Sequence, residues 1–217
     1  MIEALIFDLD NCLAPAMEIG NELYEPALEA MKKANHGTIS SNTLEEAVHD
    51  IWSNPFDSVA SKHGFSTAMI DVGIREFGKI ETQGPLYGYG DLSVLNSYGI
   101  PLFLVTSGFR LLQESKVRAL GIAAHFREVL VDAIDEPETR IRKKGIIKEI
   151  LDTHGFSRDR IIVIGDSQYS EIKVAEELGI RSVQTLRPGV SPAPNATYRI
   201  QNLGELPGLL ESLDLEN

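Results

Sequence analysis

The sequence contains a single cysteine, Cys12, among its 217 residues. One cysteine cannot form a disulfide within the chain, which excludes a disulfide-stapled fold and favours a reducing compartment. No apolar run approaches the ~18 residues that a membrane-spanning helix requires. The first residues also lack the basic start and the cleavage site of a secretory signal. We therefore expect a cytoplasmic protein that has no membrane partner.

Positive charge is also scarce, because 20 Lys and Arg residues stand against 32 Asp and Glu residues, for a formal net charge of −12. An acidic surface repels a phosphate backbone, so we expect no nucleic-acid partner. A small anionic ligand remains compatible with this charge, since a bound cation can reverse the field inside one cleft. The length suits one core domain with a smaller insertion. Nothing in the sequence specifies an oligomeric state.

Short apolar runs alternate with helical patterns along most of the chain. The runs, each closed by polar residues or glycine, predict strands at residues 5–7, 101–105, 129–131, 161–164, 181–186 and 198–200. Apolar residues at helical spacing predict helices at 109–120, 144–154 and 171–178. Strands that alternate with helices of this length indicate an α/β fold, with a Rossmann-like parallel sheet and right-handed crossovers.

The segment between the first and second predicted strands is different. It shows four helical patterns, at residues 23–34, 42–52, 55–62 and 67–80. Asn42 with Glu45 resembles a capping box, and Ser66 is placed to cap the fourth helix. We predict an all-helical cap domain at residues 15–84, inserted into an α/β core domain made of residues 1–14 and 85–217. Its predicted internal core is aromatic, with Trp52, Phe56, Phe65 and Phe77.

Reactive side chains follow three of the predicted strands. They are Asp8 and Asp10, Thr106 and Ser107, and Asp166 with Glu171 five residues later. Ligands of an open parallel sheet bind beyond the carboxyl ends of its strands, so we expect these residues to meet in one cleft. A basic pair, Lys143 and Lys144, begins the helix before the fourth strand and can reach the same cleft.

This combination of groups suits phosphoryl transfer. Asp8 and Asp10 lie two residues apart and therefore face the same way along a strand. One carboxylate can attack phosphorus and form an acyl-phosphate. A second carboxyl group can protonate the leaving oxygen and later activate water. Carboxylate and phosphate repel each other, so a cation is required between them, and Mg²⁺ suits a site with few carboxylates and a phosphate oxygen.

The same residues resemble the motifs of the haloacid dehalogenase superfamily of aspartate-nucleophile hydrolases. The four matching segments, in order along nearly the whole chain, are residues 7–13 (FDLDNCL), 104–108 (LVTSG), the lysine pair 143–144, and 164–171 (IGDSQYSE). The inserted helices resemble the C1-type cap of that superfamily. The resemblance implies a hydrolase that acts on a small phosphorylated metabolite.

The resemblance also implies a role for each residue. Asp8 is the expected nucleophile and a metal ligand, and Asp10 is the expected general acid/base, with its backbone carbonyl on the metal. Thr106 and the amide of Ser107 are expected to bind the phosphate. Further expected roles are a phosphate-binding lysine, which is Lys143 or Lys144, and a Mg²⁺ site that Asp166 completes, with Glu171 in the outer shell of the metal. Glu171 departs from the superfamily pattern, where a second aspartate is common.

Three other functions share parts of this site. A non-catalytic phosphate-binding protein and a phosphomutase both retain the same residues. A dehalogenase uses the same nucleophile, but halide leaves without a proton, so Asp10 argues against that reaction. The substrate and the cap residues that select it stay open, as does the choice between the two lysines. Lys143 shares a helical face with Ile146 and Ile147 and so points more toward the core.

Overall fold

The computed structural model describes residues 1–215 and contains one six-stranded sheet. All neighbouring strands are parallel, which confirms the predicted α/β class. The strands, each close to a predicted run, are β1 (Ala4–Phe7), β2 (Leu102–Gly108), β3 (Glu128–Ala133), β4 (Ile161–Gly165), β5 (Arg181–Thr185) and β6 (Tyr198–Ile200).

The strand order is β3-β2-β1-β4-β5-β6. Strands β2 and β3 are added on one side of β1 and strands β4 to β6 on the other, so the strand order reverses at β1. Phe7, the last residue of β1, pairs with Leu104 on one side and with Ile164 on the other. The next residue, Asp8, therefore emerges between the ends of β2 and β4. A crevice beyond such a switch point is the usual ligand site of open α/β sheets.

Helices cover both faces of the sheet. They are α5 (Arg110–Ala119), α6 (Arg142–His154), α7 (Lys173–Leu178) and α8 (Leu206–Leu215). Side chains of β1 alternate between the two layers: Leu5 and Phe7 lie in one apolar cluster, and Ala4 and Ile6 lie in the other. Full burial of a side chain such as Ile6 or Phe7 contributes about 1.5–3 kcal/mol. The strand that carries Asp8 is thus fixed from both sides.

Four helices lie between β1 and β2, as the sequence predicts. They are α1 (Glu25–Ala34), α2 (Ser41–Asp50), α3 (Phe56–His63) and α4 (Thr67–Phe77). Their apolar core contains Phe56, Phe65 and Phe77, while Trp52 is partly buried at its edge. Phe109, just before α5, joins the same core, with its ring 5.4 Å from that of Phe77. The cap boundaries at residues 15 and 84 stay a prediction.

Of the two helix caps predicted from the sequence, the structure confirms the one of α4 and contradicts the one of α2. Ser66 accepts a hydrogen bond from the Met69 amide, which confirms it as the cap of α4. The predicted cap of α2 is wrong, because that helix begins at Ser41 and places Asn42 inside its first turn. Ser40 caps it instead by accepting from the Thr43 amide. Across residues 1–215, no helix is both long enough and apolar enough to span a bilayer.

Candidate active site

A cavity of about 480 Å³ lies where the carboxyl ends of β1, β2 and β4 face the cap helices. The predicted site residues line it together: Asp8, Asp10, Thr106, Ser107, Lys143, Lys144, Asp166 and Glu171. The cap contributes the segment 51–56 between α2 and the start of α3. The sequence prediction that these residues share one cleft therefore matches their observed positions.

Asp8 is buried and held against a lysine. Its amide continues the sheet ladder by donating to the Ile164 carbonyl at 2.9 Å. Lys143 Nζ donates to Asp8 Oδ1 at 2.6 Å and also contacts Glu171 Oε1. Lys143 lies in the first turn of α6, directly after Arg142, whose backbone has a φ of +63°. Arg142 is the first residue of α6, and from the next position the Lys143 side chain reaches Asp8.

Lys144 occupies a different position at the outer part of the cavity. Its ammonium donates to Glu177 Oε2 at 2.7 Å, and both side chains of this pair are exposed. Of the two lysines that the sequence left open, Lys143 is therefore the one that lies against Asp8.

Three carboxylates converge around Lys143. Asp8, Asp166 and Glu171 each offer one oxygen, and these oxygens lie within 4.8 Å of one another. Glu171 is held by the Ser167 amide at 3.2 Å and by the Ser170 hydroxyl at 2.6 Å. It belongs to a π-helical turn, Gln168–Ile172, which precedes α7. Such wide turns often occur at functional sites.

The charge of this acidic group favours a bound cation. Burial and the Glu171 charge raise the pKa of Asp8 to about 7. Burial, with Glu171 and Asp8 nearby, raises the pKa of Asp166 to about 8. Burial also opposes ionisation of Glu171, but the Lys143 ammonium outweighs it and the pKa of Glu171 is lowered. One ammonium thus faces three carboxylates, and a divalent cation with oxygen ligands fits the remaining negative charge.

The Asp10 carboxylate lies apart from this acidic group and has its own partners. Lys116 Nζ lies 2.8 Å from Asp10 Oδ1 and 3.0 Å from Oδ2. Gln113 Nε2 lies 2.8 Å from Asp10 Oδ2 and 2.7 Å from the Thr106 hydroxyl. Contact of the Asp10 backbone carbonyl with a metal stays a prediction.

The sequence motifs do not point to Gln113 or Lys116. The available signal was their position on α5, where they share the buried face with Leu112 and Val117. A lysine at an apolar position of an amphipathic helix requires a buried partner, because an unpaired ammonium is costly to desolvate. Their partners lie 103 and 106 residues away, and sequence spacing does not identify them.

A chain of ion pairs connects the phosphate side of the cavity to the cap. The Ser107 hydroxyl donates to Asp132 Oδ2 at 2.9 Å. Arg140 binds both oxygens of Asp132, at 2.5 and 2.9 Å, and also donates to Asp57 Oδ2 at 2.7 Å. Arg142 donates to the same Asp57 oxygen at 2.6 Å. Asp57 belongs to α3, so this network ties the cap to the segment before α6.

The cap wall near Asp10 is aromatic. Trp52 stacks on Tyr24 with ring centroids 4.5 Å apart and an interplanar angle of 6°. Asn11, with a φ of +57°, donates to the Trp52 carbonyl at 3.4 Å and accepts from the Ala16 amide at 3.1 Å. The loop after β1 therefore contacts both the outgoing linker and the cap.

The chain is similar to known proteins in sequence and in fold. A curated relative from Methanocaldococcus jannaschii, described as a glyceraldehyde 3-phosphate phosphatase, is 25% identical over 98% of this chain and 99% of its own. A putative phosphatase from Clostridium difficile is 20% identical, with a TM-score of 0.67, covering 96% of this chain and 98% of that one. The putative hydrolase YfnB of Bacillus subtilis, solved with magnesium, is 18% identical, with a TM-score of 0.58 and the same coverage.

The family profile of haloacid dehalogenase-like hydrolases matches residues 5–185, a range that begins within β1 and ends with β5. The match spans Asp8, Thr106, Lys143 and Asp166, which the fold brings to one cavity. Sequence match, sheet order and site position therefore agree, and the chain belongs to the haloacid dehalogenase-like hydrolases.

Proposed function

We propose that the chain is a Mg²⁺-dependent phosphatase that hydrolyses a small phosphate monoester through an aspartyl-phosphate on Asp8. The observation that carries this proposal is the pairing of Asp8 with Lys143 inside the acidic group that Asp166 and Glu171 complete. A nucleophilic carboxylate, an ammonium that favours its ionised form and candidate ligands for a metal thus lie together beyond the end of one central strand.

In the first step, a carboxylate oxygen of Asp8 attacks phosphorus, and the bond from phosphorus to the ester oxygen breaks. Asp10, in its protonated form, gives its proton to the departing oxygen, so the leaving group departs as an alcohol. The Thr106 hydroxyl and the Ser107 amide hold phosphoryl oxygens during the transfer. Lys143 neutralises part of the charge that the phosphoryl group brings next to Asp8.

In the second step, Asp10 accepts a proton from water, which attacks the phosphorus of the aspartyl-phosphate. The bond between phosphorus and the Asp8 oxygen breaks, which releases inorganic phosphate and restores the Asp8 carboxylate. Asp10 is protonated again, and the cycle is balanced. Bound Mg²⁺ would be held by Asp8, Asp166 and Glu171 and would supply positive charge between the nucleophile and the phosphate.

A triose phosphate is the first substrate to consider. The M. jannaschii relative that aligns over nearly both whole chains is described as a glyceraldehyde 3-phosphate phosphatase. The cavity is lined on the cap side by Trp52 and Phe56, with the phosphate residues opposite. We therefore expect a short phosphorylated metabolite whose leaving group lies against the cap.

Phosphate release from a panel of phosphorylated metabolites, including glyceraldehyde 3-phosphate, tests this function. We expect turnover in Mg²⁺, none in EDTA, and none from Asp8→Asn in either condition. Asp152→Asn is the matched control, because Asp152 is an exposed residue of α6, and it should retain full activity. An active Asp8→Asn protein would refute the nucleophile. Phosphate binding without turnover of any substrate would favour the non-catalytic alternative.

A further inference from the structure

Two guanidinium groups line the cavity on the side of the segment that leads into α6. They belong to Arg140 and Arg142, and both donate to the same oxygen of Asp57, at 2.7 and 2.6 Å. Asp57 is in the first turn of the cap helix α3. A carboxylate of the cap thus pairs with two cations that line the cavity, of which Arg140 is nearly buried and Arg142 is largely exposed.

The charges on this side of the cavity cancel. The Arg140 side chain is only 7% exposed and makes a bidentate pair with the buried Asp132 as well as its bond to Asp57. Within residues 1–215, Arg142 makes its ion pair with Asp57 alone. Two guanidinium groups therefore face two carboxylates. Asp57 stays ionised, because its bonds to Arg140 and Arg142 outweigh its burial and lower its pKa.

The neighbouring part of the cap adds uncharged side chains. They are Trp52, Ser53, Asn54, Phe56 and Ser58, all of which line the cavity. Aromatic faces and short hydroxyl or amide groups suit a carbon chain that carries hydroxyl or carbonyl oxygens. A carboxylate placed here would have to displace Asp57 from the two arginines before it could pair with them.

We propose that Asp57 sets the charge selectivity of the leaving-group side, so that the enzyme takes phosphate monoesters with uncharged leaving groups and discriminates against those with a second anionic group. By neutralising Arg140 and Arg142 it removes the attraction for a substrate carboxylate. This inference rests on the proposed phosphatase function and adds the substrate class. Asp57 acts through the arginines and is a specificity-determining residue.

Glycerol 3-phosphate and 3-phosphoglycerate test this inference, because they differ in a terminal hydroxymethyl group and a carboxylate. For the wild-type protein we expect a higher kcat/KM with glycerol 3-phosphate. For Asp57→Asn we expect the ratio of kcat/KM values to move toward 3-phosphoglycerate by about tenfold or more. That factor corresponds to one hydrogen bond between the substrate carboxylate and a charged arginine. Asp57→Glu keeps the charge and should keep the wild-type ratio.

Asp50→Asn is the matched control. Asp50 is also a cap carboxylate in an ion pair, but its partners Lys62 and His63 belong to the cap itself. Its substitution should leave the ratio unchanged. A general loosening of the cap would slow both substrates together, so a proportional loss in Asp57→Asn would overturn the inference. A wild-type preference for 3-phosphoglycerate would overturn it as well.

Binding separates this inference from the proposed function. The Kd values of both compounds can be measured by calorimetry in the Asp8→Asn protein, with and without Asp57→Asn. We expect the additional substitution to favour 3-phosphoglycerate over glycerol 3-phosphate by the same factor. An unchanged Kd ratio refutes the role of Asp57 whether or not the wild-type protein hydrolyses either compound. If the Kd ratio shifts but the wild-type protein hydrolyses no substrate, only the phosphatase function is refuted.

Discussion

The ammonium of Lys116 lies against both carboxylate oxygens of Asp10, at 2.8 and 3.0 Å. The lysine is almost fully buried, and Gln113 from the preceding turn of α5 holds the same carboxylate. Asp10 is the proposed proton donor to the leaving group. Its side chain therefore has a fixed resting position that a core helix supplies, independent of the cap.

Substitution Lys116→Met is expected to impair proton transfer more than phosphoryl binding, because the Asp10 side chain loses the contact that fixes its position. The kcat for an alkyl phosphate should fall about tenfold or more beyond any fall for p-nitrophenyl phosphate. The reason is that p-nitrophenolate leaves as a stable anion, whereas an alkoxide needs the proton. Steady-state kinetics with the two substrates measure the difference.

Lys148→Met serves as the control for that substitution, because Lys148 is an exposed lysine of α6. It should change neither rate. Equal losses for both substrates in Lys116→Met would contradict an action through Asp10 and would leave Lys116 with a structural role.

The raised pKa values of Asp8, about 7, and of Asp166, about 8, predict a dependence of stability on pH. The folded protein without metal binds more protons at these groups than the unfolded chain, whose aspartates titrate near 4. Stability in EDTA should therefore fall as the pH rises from about 5 to about 8. Glu171 has a lowered pKa and is already ionised in both states over that range.

Thermal unfolding in EDTA and in Mg²⁺ measures this effect across the same pH range. Mg²⁺ should raise the Tm more at the upper end, because the carboxylates must be ionised to bind it. Asp166→Asn should flatten the EDTA profile, while Asp152→Asn on the exposed face of α6 should not. A Tm in EDTA that increases with pH over this range would contradict the raised pKa values of Asp8 and Asp166.

Gly165→Ala should weaken metal binding. A Cβ at Gly165, the last residue of β4, would overlap the side chain of Glu171 and push it out of position. Displacing a group that supports a metal site typically costs about 10–100-fold in affinity. Mg²⁺ titration by calorimetry provides the measurement. Gly208→Ala in α8 has open space around its Cβ and should bind Mg²⁺ as the wild-type protein does.

The sequence predicted the sheet and the meeting of its strand ends, because both follow from short-range patterns. Apolar runs closed by Asp8, Thr106 and Asp166 place three strand ends at one edge of a parallel sheet. The choice between Lys143 and Lys144 could not be made, because it depends on where α6 begins. A shift of one residue rotates a helix by about 100°, and sequence patterns do not locate a helix start to a single residue.

Contacts between the cap and the core were beyond the reach of sequence patterns. Asp57 meets Arg140 and Arg142 across 83 and 85 residues, and no periodicity links them. Read alone, these arginines resemble solvated charges beside a basic pair. Such pairings are set by how two separately packed units dock. The leaving-group side of the site was therefore less predictable than the phosphate side.

The largely buried pair of Arg187 and Asp91, whose side chains are 4% and 18% exposed, should contribute to stability rather than to catalysis. Arg187 binds both Asp91 oxygens, at 2.7 and 3.0 Å, and donates to the Cys12 carbonyl at 3.0 Å. Arg187→Met leaves Asp91 without its cation, and breaking a buried pair this way costs about 3–5 kcal/mol. Arg160→Met removes an exposed pair with Glu3 and should cost much less, because water screens that pair. Urea denaturation measures both, and equal losses would contradict the assigned difference in burial.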